Sequence, residues 1–226
     1  MLSTNEYLTR LHQLGKEIKR RCESPTYSPS NDEQARAVLH FLKRASELAQ
    51  GCFLLGSDGL GTPLFVLMRV LCEDLFISYW VATSATNART YVEDVRSEWA
   101  RAMLVSLKKG RAQLVQKSTG KDQTQTVAPD IKKRFVKTRT RIEEIANKTG
   151  LGKVYDTVYR FASPEVHGKT FGLPTAVNQA GIRAALPGIL SLLRAEILIA
   201  DNCVAKRTTT PEQILSLLKL DTLAGT

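Results

Sequence analysis

The sequence is poor in the residues from which most metal and nucleophilic sites are built. It has three histidines and four cysteines in 226 residues. Cys22, Cys52, Cys72 and Cys203 are scattered, with no C-x-x-C and no Cys/His pair at ligand spacing, so no structural zinc module and no metal site is expected. All four fall in apolar helical patterns, where a thiol serves as a small hydrophobe, and a reduced, cytoplasmic setting is expected. Long uninterrupted apolar runs are missing too. Arg69, Glu73 and Asp74 break LFVLMRVLCEDLFISYWVA, and Arg194 and Glu196 break ILSLLRAEILIA, so neither reads as a membrane span. The first fifteen residues lack the basic start and apolar centre of a secretory leader. GSDGLGTP, residues 56–63, precedes a helical pattern but has no lysine and no strand before it, so a small phosphorylated ligand would have no phosphate-cradling loop, and no cofactor is expected.

Period-two alternation is nearly absent, which argues against sheet. What is present is a 3.6-residue apolar period in almost every segment. It predicts helices over about 3–22, 30–55, 62–84, 87–115, 129–148, 153–162 and 177–207, with a short one after Pro211. Proline and glycine punctuate them: SPTYSPSND closes the first, GSDGLG the second, Thr149-Gly150 the fifth. The expected fold is an all-α, single-domain bundle of about seven to eight helices. It would cover residues 1–226, with an N-terminal helix and linker at 1–29, a polar loop at 118–128, and a short helix and tail at 208–226.

The net charge of +10 is concentrated. From Arg101 to Arg141 there are twelve Lys/Arg against Asp122 and Asp130, which leaves 32 − 12 = 20 basic against 22 − 2 = 20 acidic residues elsewhere. Lys108, Lys109, Arg111, Lys132, Lys133, Arg134 and Lys137 are the candidate phosphate contacts. A field of this density suits RNA, DNA or an acidic lipid surface; a solvated helical hairpin accounts for it equally well. No aromatic residues are expected to be interleaved with these lysines and arginines for bases to stack on.

Two polar clusters stand out from the helical background. Arg69 and Glu73 lie i, i+4 in the most apolar helix, where burial demands a partner for each. They either satisfy each other or reach a polar centre shared with a second helix. The other cluster is VYRFASPEVHG, residues 158–168. Tyr155, Tyr159, Ser163 and His167 follow at i+4, and Arg160 stands seven residues before His167. Pro164 must kink the helix or restart it with Ser163 as N-cap, which puts His167 at a helix end beside the glycine-containing GKTFGLP loop. An imidazole moves protons near neutral pH and a guanidinium holds phosphate oxygens, a pairing able to cleave a phosphodiester. A histidine at a helix end also serves as a cap or a satisfied buried group, and His12 and His40 have no convergent polar partners.

Arg160-Phe-Ala-Ser-Pro-Glu-Val-His167 resembles the Arg-x(4 to 6)-His signature of the HEPN superfamily, the higher-eukaryote and prokaryote nucleotide-binding domains. Arg69 and Glu73, followed by Tyr159, Ser163, His167 and Gly168 in a Tyr-x3-Ser-x3-His-Gly pattern, are similar to a bacterial all-α family without an assigned function. The HEPN resemblance implies an all-α homodimer with a shared cleft. It implies metal-independent ribonuclease activity in toxin–antitoxin, phage-defence or RNA-processing systems, or a binding module that has lost activity. It assigns phosphate binding to Arg160 and acid/base work to His167, with no metal or cofactor. Glu73, Arg69, Tyr159 and Ser163 would support them by our own reading. Six residues separate the pair, and Phe161 follows Arg160 where the commonest pattern has a polar residue. Two expectations result: an RNA-cleaving or RNA-binding homodimer with an unidentified antitoxin or effector partner, or a non-catalytic interaction module held by a Tyr159–Ser163–His167–Glu73 network.

Overall fold

Ser3 opens the first helix by accepting from the Glu6 amide while the Glu6 carboxylate accepts from the Ser3 N–H, a capping box that satisfies two donors the helix cannot. Helix α1 then runs Thr4–Glu23. Asp32 plays the same part for α2, Glu33–Ser57, accepting from the amides of Gln34 and Ala35. There follow α3 (Gly61–Thr83), α4 (Ala85–Lys108), α5 (Thr124–Phe135), α6 (Ile142–Lys148) and the single-turn α7 (Gly152–Val154). A π-turn, Tyr155–Tyr159, continues α7, and α8 (Thr175–Val204) and α9 (Pro211–Leu218) complete the order. This computed structural model describes residues 2–27, 32–135, 140–160, 162 and 175–218, with side chains from 179 in the last span. Among the described residues the fold is all-α; an isolated bridge between Val115 and Asp122 is the one β-type pairing. No described helix is long and apolar enough to cross a membrane.

The chain divides into two compact units, residues 1–88 with 142–226, and residues 89–141. In the first, α3 lies along α8, α2 packs on both, and α1 lies on α2 and α8. The apolarity of α3 on every side follows from that position, since α2, α8, α6 and the π-turn all touch it. Leu64, Leu71, Leu75 and Phe76 from α3 and Leu186, Ile189, Leu192 and Leu193 from α8 form its buried centre. At Gly56 a Cβ would stand 2.7 Å from a terminal methyl of Leu8, so a larger residue there would have to push that side chain of α1 aside.

The second unit is built from the 89–108 part of α4, a turn and α5. Here the helix boundaries differ from those the periodicity predicts. The fourth helix stops at Lys108 rather than near Val115, because Gly110 takes φ 66° and the Arg111 amide turns back to the Ser106 carbonyl. The expected fifth helix is two: α5 ends at Phe135 and α6 begins at Ile142. Pro129 lies inside α5 rather than at its start, and the polar loop ends at Thr124, whose amide donates to Asp122.

Candidate functional site

The π-turn decides where the polar side chains of the 155–160 stretch point. In it the Arg160 amide bonds the Tyr155 carbonyl, one residue wider than α-helical pairing. Tyr155 and Tyr159 are thereby stacked, 4.8 Å between ring centroids and 20° between planes, and each ring lies 6.2 Å from Phe76 of α3. Tyr159 is buried and delivers its hydroxyl to the Arg69–Glu73 pair.

Those three groups form a closed triangle. The Arg69 guanidinium donates to the Tyr159 oxygen at 2.9 Å, the Tyr159 hydroxyl donates to Glu73 Oε1 at 2.9 Å, and Arg69 Nε lies 3.3 Å from the same carboxylate oxygen. The guanidinium also stands 4.7 Å from the Tyr159 ring centroid. Burial and the hydrogen bond to Glu73 push the Tyr159 phenol up from its ordinary value, and Arg69 opposes them. Of the two alternatives open for Arg69 and Glu73, both are realised: they pair with each other, and they share Tyr159 with a second element.

Arg160 points elsewhere. Its Nε lies 3.0 Å from Asp156 Oδ1, a terminal nitrogen is 3.5 Å from Glu143 Oε1 on α6, and the guanidinium is 5.3 Å from the Tyr155 ring centroid. With its side chain 58% exposed, it is a surface group held between two carboxylates. A phosphate would have to displace or share those acceptors. His167 and Ser163, the other members of the expected centre, lie outside the described residues, as does Lys137.

The remaining candidate phosphate contacts, Lys108, Lys109, Arg111, Lys132, Lys133 and Arg134, are all exposed. None makes an ion pair among the described residues. They belong to the 89–141 unit, which holds fourteen Lys/Arg against five Asp/Glu, or 14 − 5 = +9 of the chain's +10. Contrary to expectation, this unit carries aromatic surface: Trp99 is 75% exposed and Phe135 36%, with the Arg134 guanidinium 5.3 Å from the Phe135 ring centroid. Phe135 sits within KKRFVK itself, and Trp99 just precedes the first of the counted basic residues.

A second polar cluster escaped the sequence reading. Asp74 of α3 is buried and pairs with Arg44 of α2 at 2.6 Å. Burial raises its carboxyl to about 6 despite Arg44. Glu196 of α8 is buried as well, and neither of its oxygens has a hydrogen-bond partner among the described residues. Burial, reinforced by the Asp74 charge and eased by the nearby Ser78 hydroxyl, raises its carboxyl to about 8. The signal was there to find. Leu192, Leu193, Ile199 and Ala200, at three and four residues on either side of Glu196, are all buried, so helical spacing alone puts Glu196 on the inner face. Among the described residues no group of His, Cys, Asp and Glu could hold a metal ion.

The chain belongs to a family of unknown function (DUF5677), whose model matches residues 35–178, more than half of the chain. That span includes the Arg69–Glu73 pair, the π-turn and Arg160. No curated protein and no solved structure matches the chain.

Proposed function

We propose that this DUF5677 member binds RNA, with the phosphate backbone lying on the exposed lysines and arginines of its 89–141 unit. The observation that carries this reading is the segregation of nearly all the excess positive charge into that one unit, where Lys108, Lys109, Arg111, Lys132, Lys133 and Arg134 are exposed and make no ion pair among the described residues. Trp99 and Phe135 supply faces on which unpaired bases can stack, which favours single-stranded RNA over a duplex. Fluorescence anisotropy with a single-stranded oligoribonucleotide at about 50 mM salt tests it. The combined variant Lys132→Ala, Lys133→Ala, Arg134→Ala is expected to bind at least about tenfold more weakly and with a shallower salt dependence. Equal affinity of the variant and the parent would refute the reading.

A second reading adds cleavage by Arg160 and His167, consistent with the HEPN resemblance and with a homodimer completing the cleft. One observation favours it: Arg160 immediately follows a π-turn, a backbone form that gathers at functional sites. In this reading His167 takes the proton of the ribose 2′-hydroxyl as that oxygen attacks phosphorus, and later returns it to the departing 5′-oxygen. Arg160, exchanging Asp156 and Glu143 for phosphate oxygens, offsets the charge that develops. His167→Ala should abolish RNA cleavage by the purified protein and leave its helical circular dichroism intact. Undiminished cleavage would end this second reading without touching the first.

A further inference from the structure

The 89–141 unit has more apolar surface than it can cover. Among its described residues only Ser97, Ala100 and Leu107 are buried. Five of the seven large hydrophobic side chains exposed on the described chain belong to it: Val95, Trp99, Val105, Val115 and Phe135. Helix α5 buries nothing at all, although Val127, Ile131 and Phe135 follow at i+4 along one face. A unit of this size with so few buried residues lacks the core that normally holds a short helix in place.

The uncovered surface has a defined shape. A groove of 840 Å³ runs between α4 and α5, with a floor of Leu104, Val105, Leu107, Ala128 and Pro129. Lys108, Lys132 and Arg101, the last already paired with Glu98 at 2.9 Å, also line it, with Thr124 and Gln125. Lys108 and Lys132 are exposed and make no ion pair among the described residues. An occupant must therefore offer an aliphatic stripe and negative charge together.

That pair of requirements separates the candidates. A second copy of this chain would bring another unit of net charge +9 against the first, and like charges oppose the contact. RNA would neutralise the rim and reach Thr124 and Gln125, but the lining holds no aromatic ring on which a base could stack and would leave the aliphatic floor uncovered. A helix with leucine-like residues at i, i+3, i+4 and i+7 and carboxylates on either side satisfies both. We infer that the α4/α5 groove is the docking site for an acidic amphipathic helix of a partner protein, its apolar side chains entering between Val105 and Pro129 and its carboxylates meeting Lys108 and Lys132. The inference does not rest on the RNA reading, although Lys108 and Lys132 serve both, so that peptide and RNA would compete for them.

The test uses the full chain and a labelled synthetic peptide of about five helical turns, with leucines at the four-position repeat and glutamates elsewhere. A peptide of the same composition in scrambled order is the control, and Val105→Glu is the disabling variant, since Val105 is 51% exposed and its replacement leaves the core alone. The amphipathic peptide is expected to bind at least about tenfold more tightly than the scrambled one and to lose at least about tenfold with Val105→Glu. Lys117→Ala, which removes one exposed charge outside the groove lining, should cost less than about threefold. Equal binding of the scrambled peptide would reduce the interaction to charge alone and overturn the inference. So would an unchanged affinity of Val105→Glu for the peptide. Light scattering and an RNA titration cover the other occupants. A dimer that Val105→Glu dissociates would assign the groove to a second copy, and an oligouridine affinity that falls tenfold with Val105→Glu would assign it to RNA.

Discussion

The Tyr159 hydroxyl donates to Glu73 at 2.9 Å across 86 residues of chain, and this bond joins the π-turn to the most buried helix of the fold. It is the point at which the irregular 155–160 stretch is tied to α3. Because the same oxygen accepts from Arg69, removing it leaves both members of an ion pair short of a partner. Tyr159→Phe, which keeps the ring stack, is expected to lower the unfolding free energy by about 1–2 kcal/mol, read as a shift of the urea midpoint with an unchanged slope.

Glu196 gives the protein a characteristic dependence on pH. Its folded carboxyl holds its proton up to about 8, against an ordinary value of 4.5. Between those values the folded state binds more protons than the unfolded one, so this group's contribution is fully present below about 4.5, falls as pH rises, and is gone above about 8. Asp74 acts with the same sign, from 3.8 to about 6. Glu196→Gln should remove most of the slope. Relative to the parent, the variant is expected to gain on the order of 3–5 kcal/mol between pH 5 and pH 9, measured by urea denaturation across that range.

Arg44 is the counter-charge that makes an ionised Asp74 tolerable inside the bundle. Arg44→Met removes it and strands a buried carboxylate. The expected loss is about 2 kcal/mol at pH 8, below that of a wholly buried pair because the Arg44 side chain is 47% exposed. Without the guanidinium the Asp74 carboxyl moves further up, so the loss should shrink once pH falls below 6 and the acid protonates. Thermal melts at pH 8 and pH 5 would show whether it does.

Arg160 should matter little for stability. Its two ion pairs are exposed, and pairs of that kind contribute less than about 1 kcal/mol. Arg160→Ala is expected to keep the thermal midpoint within about 2 °C of the parent. An RNA-cleavage defect in that variant would then be a defect of the site and not of the fold, which makes it the companion to His167→Ala.

The bundle was legible in the sequence wherever order is local. The starts of α1 and α2, expected at residues 3 and 30 and found at Thr4 and Glu33, the 3.6-residue period of α3 and α8, and the i, i+4 spacing of Arg69 and Glu73 depend on neighbours within two turns. Those features read correctly to within a few residues. Boundaries failed where one residue could serve two roles: Gly110 ends α4 in a left-handed cap, and Pro129 is carried inside α5 instead of starting it.

What the chain's order of residues determined, then, is a set of amphipathic helices, a basic segment and a short inventory of polar groups in apolar company, because periodicity and charge are properties of near neighbours. Tertiary structure alone decided which of those groups meet. It turned Tyr159 inward to Glu73 and Arg160 outward to Asp156 and Glu143, although the two are adjacent, because the wider π-turn rotates one ring onto Phe76 and sends the next side chain to the surface. It also brought Glu196, whose inward face helical spacing already gives, near Asp74 and Ser78 of the distant α3. No local pattern encodes that choice, since a partner's identity depends on which distant surfaces the packing of apolar area brings together.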